Sequence, residues 1–190
     1  MSETATVKLM TSDDLFALPH NKKIDRWLFR GELRESKVTK RNPSHSAAVA
    51  AVGALLINWL KTQPEPRGKV YSGEAYFRIR KDPDTNVGVD VALATPEQRA
   101  TTKRKASYVE GPPLLAVEVL SPYDKHKDIV ETIEEYLECG AKLVWIVDPY
   151  TDTVTVHRPG QEPKLYTLSD ELSGDPELPG FRCSVAEIFE

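Results

Sequence analysis

Cysteine is scarce in this chain of 190 residues. Cys139 and Cys183 lie far apart, and neither sits in a CxxC or comparable metal spacing, which argues against zinc. A reduced, cytoplasmic setting is the expectation. Excess positive charge is missing as well. The 25 Lys and Arg against 29 Asp and Glu leave a net charge of −4. That excludes a protein that coats nucleic acid through bulk charge, while leaving local basic patches open. No apolar core of signal-peptide length opens the sequence, and no stretch reads as approaching a membrane span. Glycine-rich phosphate loops of the P-loop or dinucleotide type are absent, as are internal repeats. What is present, 40% hydrophobic and 28% charged residues, suits a globular protein with one domain, 1–190, and a sizeable core.

Taken in order, Thr11-Ser12-Asp13-Asp14 before Leu15 to Leu18 predicts an N-capped short helix stopped by Pro19. Ile24 to Arg30 and Glu32 to Thr39 read as a hairpin turning at Gly31. Ser44 caps the longest helical pattern, which runs to about Thr62 with Val49, Val52, Leu55, Leu56, Trp59 and Leu60 on its core face. Val70 to Arg80 and Val87 to Ala94 are strands. Residues 95–111 read as a loop with room for one helical turn, crossing back to the Glu118 strand. The stretch Pro112 to Pro149 then gives an apolar strand, an amphipathic helix from about Lys125, and the strand Leu143 to Val147, the order of a βαβ unit. The buried stripe of that helix is read as Ile129, Val130, Ile133, Tyr136 and Leu137, with Gly140 ending it. Strands at Thr153 to His157 and near Tyr166 follow as an edge meander, and Val185 to Phe189 as a final helical turn. The fold class is α/β, a mixed β-sheet flanked by helices.

Two acids interrupt otherwise apolar strands: Asp90 in VGVDVALA and Glu118 in LLAVEVL. A carboxylate leaves water only at a cost unless something pairs with it. Each acid alone could pair with a buried arginine or cap a neighbouring element. If the two strands are neighbours the acids converge, and paired carboxylates repel unless a cation lies between them. Their oxygens suit Mg²⁺ or Mn²⁺, and phosphodiester hydrolysis is the natural reaction class for such an ion.

The pattern VGVDVALA, GPPLLAVEVLSP, a helix ending Tyr136-Leu137-Glu138-Cys139-Gly140, and LVWIVDP resembles the Uma2 family, within the PD-(D/E)XK nuclease superfamily. Gly31-Glu32-Leu33 and Pro43-Ser44-His45 match its N-terminal landmarks. The resemblance implies a restriction-endonuclease-like core (α-β-β-β-α-β) and a Mg²⁺- or Mn²⁺-dependent DNA endonuclease, with Asp90 and Glu118 as metal carboxylates. A homodimer is a further expectation from the resemblance. One position departs from the pattern. The superfamily lysine two residues after the second acid is Leu120 here. In the resembled family it stands on the following helix four residues before the tyrosine, which is Thr132. Lys125 lies about 20° from Thr132 around a helix but about 10 Å along it. Catalysis then either recruits another cation such as Lys125 or is weakened, leaving a nucleic-acid or protein binding module.

Glu32 is a candidate third carboxylate, or a solvated acid after a turn. His45 could touch the site or a phosphate, or cap its helix. Asp148 reads as a turn residue, and Trp145 as core or a subunit contact. Three basic clusters could follow a phosphate backbone: Lys37 with Lys40 and Arg41, Lys103-Arg104-Lys105, and Lys125-His126-Lys127.

Overall fold

A computed structural model of the chain describes residues 9–38, 42–122 and 124–190. Helix α1 (Ser12–Ala17) is closed by a capping box between Thr11 and Asp14. The hairpin β1 (Ile24–Phe29) and β2 (Glu32–Lys37) follows, then α2 (Pro43–Thr62), β3 (Lys69–Arg80) and β4 (Thr85–Ala94). Next come α3 (Pro96–Thr101), β5 (Val109–Glu110), β6 (Leu115–Val119), α4 (His126–Glu138) and β7 (Leu143–Asp148). The chain closes with β8 (Thr153–His157), β9 (Lys164–Tyr166), a hairpin of β10 (Glu171–Ser173) with β11 (Arg182–Ser184), and α5 (Ala186–Phe189).

Among the described residues nine strands form one mixed sheet, ordered β2-β1-β4-β6-β7-β8-β9, with β3 beside β4 and β5 beside β3. The β6–β7 pair is parallel because α4 carries the chain back over one face, as a crossover must. The alternation of side chains sorts the core into two layers. Val91, Leu93, Leu115, Val117 and Trp145 pack under α2. Ala92, Ala116, Val144 and Ile146 pack under Ile133 and Tyr136 of α4. The expected mixed sheet flanked by helices, with helix, three strands, helix and strand at its centre, is what forms. Trp145 is core, 1% exposed.

Several expectations need correction. Asn42, not Ser44, caps α2: its Oδ1 accepts the His45 N–H at 2.8 Å, and Pro43 takes the first helical turn, where its fixed φ and missing N–H cost nothing. Residues 96–101 form a capped helix of six residues, longer than the one helical turn allowed for within the expected loop. Arg182–Ser184 is a strand where the sequence suggested loop. The hairpin residue Thr39 lies outside the described residues. By length and composition alone α2 could cross a membrane, with a mean hydropathy of 1.2, so the view that no stretch approaches a span does not hold. Ala48, Val52 and Leu56 of α2 are nonetheless buried against the sheet.

The stripe of α4 also differs. Val130 is 37% exposed, while Glu135 is only 1% exposed. Arg80 Nε donates to Glu135 Oε1 at 2.6 Å, Arg30 donates to Oε2 at 2.8 Å, and Thr85 Oγ1 donates to Oε1 at 2.9 Å. Glu138, one turn on in sequence, receives the same two arginines at the surface. Burial pushes the Glu135 carboxyl upward, but the hydrogen bonds from Arg80, Arg30 and Thr85 outweigh it and hold it below the ordinary glutamate range. Glu135→Ala removes the buried carboxylate that two partly exposed arginines and Thr85 share. It is expected to lower stability in urea unfolding by more than Glu138→Ala, whose surface pairs are worth at most about 1 kcal/mol. Because the folded-state value is depressed, the stabilisation is complete above the ordinary glutamate range and fades as pH falls through the lower folded value. Equal losses from the two variants would rule out this clamp.

Candidate functional site

The site is a gap in the sheet. On one edge β4 runs beside β3 throughout. On the other it pairs with β1 only at Asn86, opposite Leu28, and with β6 only from Val91 to Leu93. Among the described residues no strand covers that edge from Val87 to Asp90. The β3 side is irregular there too. A register shift between Ser72 and Ala75 leaves Gly73 and Glu74 outside the ladder, both with positive φ, a conformation glycine adopts freely. A cleft of about 980 Å³ opens at this gap, walled by the β1–β2 hairpin and by α4.

Asp90 and Glu118 form its floor. The register that pairs Val91 with Val117 sets Asp90 opposite Glu118 one step further on, on the α4 face. Backbone pairing has ended by then, and the Asp90 side chain takes over: its Oδ2 accepts the Val119 N–H at 2.9 Å. Glu118 Oε1 accepts the Tyr136 hydroxyl at 2.7 Å. Tyr136 is fully buried. Burial first, then the charge of Glu118, raises its pKa well above the ordinary value, so it remains a donor. From the α2 side comes His45, 3% exposed, with Nε2 at 3.4 Å from Asp90 Oδ2. Neither of its ring nitrogens has a hydrogen-bond partner among the described residues.

Thr132 lines the cleft one helical turn before Tyr136, and its hydroxyl donates to the Asp128 carbonyl at 2.8 Å. Lys125, the N-cap residue of α4, lines it too. Glu32 is exposed on β2 opposite Phe29 and does not line the cleft. Of the basic clusters, Lys37 and Lys125 line it, Lys127 pairs with Glu131 at 3.6 Å, and residues 103–105 do not line it. Lys40 and Arg41 lie outside the described residues. Asp148 does turn the chain, accepting the Tyr150 N–H at 2.8 Å. The roles of Tyr136 and Glu135 were not legible in sequence. Tyr136 matched the apolar stripe, and Glu135 looked like any solvent-facing acid of an amphipathic helix.

A divalent cation would meet two carboxylates here. Among the described residues no group of three or more His, Cys, Asp and Glu is placed to hold a metal. Mg²⁺ is commonly held by one or two carboxylates, with waters and substrate phosphates completing its shell. Two hard oxygen donors converging in an open cleft therefore fit that ion at the minimal level.

A mixed sheet with helices on both faces and two acids at a break between its central strands defines a protein of the PD-(D/E)XK-like nuclease fold. Residues 12–186 match the model of the Uma2 family, described as "Putative restriction endonuclease", and the chain belongs to that family. It is similar in structure to a putative nuclease belonging to DUF820 from Anabaena variabilis. That likeness has a TM-score of 0.76 at 18% identity and covers 95% of this chain and 97% of the other. At that identity the likeness speaks for the fold alone. None of the curated proteins compared matches the chain.

Asp90→Ala strips the Val119 N–H of its acceptor and is expected to cost about 1–3 kcal/mol. Asp90→Asn keeps a carbonyl acceptor and loses less. Urea midpoints measure both, and a wild-type midpoint for the alanine variant would refute the role of Asp90 in closing the seam.

Proposed function

We propose that this protein binds a nucleic-acid strand, DNA in the first instance, in the cleft between the β1–β2 hairpin and α4, and that it is a nuclease-fold protein with weakened hydrolysis. The observation that carries the reading is Thr132. It stands in the cleft one turn from the tyrosine that holds Glu118, and its hydroxyl is engaged with the Asp128 carbonyl of its own helix. A neutral side chain at that place supplies no positive charge for an attacking water or for a phosphate gaining charge.

Asp90 and Glu118 would hold Mg²⁺ or Mn²⁺. Such an ion, when bound, supplies a water of lowered pKa and neutralises charge on a phosphate oxygen. The chain's own residues do the rest. Tyr136 and the Val119 N–H keep the two carboxylates in place, and Lys22, Lys37 and Lys125 on the cleft wall attract the backbone. A second reading, an active metal-dependent endonuclease, draws support from Lys125, which lines the same cleft without an ion pair among the described residues.

Supercoiled plasmid with Mn²⁺ or Mg²⁺ separates the two. On the proposed reading wild type retains DNA in a gel-shift assay but nicks no faster than Glu118→Ala. Thr132→Lys should then raise nicking by about 10²-fold or more. Nicking by wild type that needs both Glu118 and Lys125, and that Thr132→Lys does not improve, would overturn the proposal in favour of the active enzyme.

A further inference from the structure

The cleft contains an aromatic ring that the two apolar cores do not use. Of the three tryptophans, Trp145 is core, and Trp59 packs against that core while its indole N–H donates to the Pro179 carbonyl at 3.1 Å. Trp27 belongs to neither core cluster, is half-buried, and lines the cleft. Among the described residues its side chain makes no hydrogen bond, ring pair or cation–π contact. Its direction follows from the hairpin. Trp27 pairs with Arg34 across β1–β2, and directly opposed residues share a face. Arg34 reaches Glu131 of α4 at 3.0 Å and lies 4.0 Å from the Phe29 ring centre, so that face looks toward α4 and the acids.

Charge on the same walls narrows the ligand. Arg26 and Arg34 are tied to Glu35 and Glu131. Lys22, Lys37 and Lys125 line the cleft with no ion pair among the described residues. Uncommitted ammonium groups along a groove attract a phosphate backbone, and an aromatic ring among them offers a platform for a base. A base inside a duplex hides its faces in the stack. It can lie on an indole only when the strand is single or the base has been swung out.

We infer that the cleft takes single-stranded nucleic acid, with one base stacked on Trp27 and the backbone passing Lys22, Lys37 and Lys125 towards Asp90 and Glu118. This rests on the proposed reading of the cleft as a nucleic-acid site and adds the class of strand it accepts. The geometry makes Trp27 a reporter of binding, since Trp145 is core, Trp59 packs against that core, and neither lines the cleft.

The test uses the full chain with Ca²⁺ in place of Mg²⁺ and three labelled probes: an oligothymidine of about 12 nucleotides, an abasic strand of equal length, and a duplex of equal length. Oligothymidine should quench tryptophan emission and bind about fivefold or more tighter than the abasic strand or the duplex, the smaller end of what stacking contributes. Trp27→Leu should erase that preference, while Trp27→Phe keeps part of it. The wild-type comparison of thymidine and abasic strands needs no variant and stands even if a substitution unfolds the hairpin. If the abasic strand or the duplex binds as tightly as oligothymidine, or if folded Trp27→Leu keeps the full preference, the stacking inference fails while the cleft remains a phosphodiester site. If none of the probes binds, the inference and the functional reading fall together.

Discussion

The carboxylate of Asp90 spans a seam that the backbone leaves open. Up to Val91 the β4–β6 ladder is made by main-chain groups, and at the next step a side chain accepts the Val119 N–H in their place. The substitution ends the pairing without leaving a buried donor unsatisfied. It also lets β4 and β6 part, and the parting creates the cleft. Glu118 stands opposite Asp90 because the register continues for one residue past the last ladder pair. The site is in this sense a controlled failure of the sheet, with a bulge in β3 on the other side of the same strand.

A second buried carboxylate sets the far wall. Glu135 ties α4 to the ends of β1, β3 and β4 through Arg30, Arg80 and Thr85. Glu135 is held by two arginines and a threonine hydroxyl, whereas on the floor of the cleft Asp90 accepts a backbone N–H and Glu118 a tyrosine hydroxyl.

Much of this architecture was legible beforehand. Apolar runs around single acids at Asp90 and Glu118 stood out because a charge in a buried strand is costly, and the strand–helix–strand order around α4 followed from periodicity. The cap at Asn42 was misplaced by two residues because serine and asparagine are both good caps and only the geometry of Pro43 chooses between them. Val130 was expected on the buried stripe and is exposed, while Glu135, outside that stripe, is buried. A helical wheel ranks residues by polarity, and polarity cannot announce two arginines arriving from positions 55 and 105 residues away. Trp27 attracted no notice, since a tryptophan in a strand is ordinarily core.

By itself the sequence determined the principal strands and helices, the α/β class and the two acids worth asking about, because local propensity, capping and hydrophobic period act over a few residues. Only the tertiary structure decided what those acids meet. It set Asp90 beside Val119 and Glu118 beside Tyr136, pointed Thr132 into the cleft, and left Glu32 outside it. Those outcomes depend on where two strands stop pairing and on how a helix is clamped across a sheet. Both are balances among groups distant in the chain, and no local pattern encodes them.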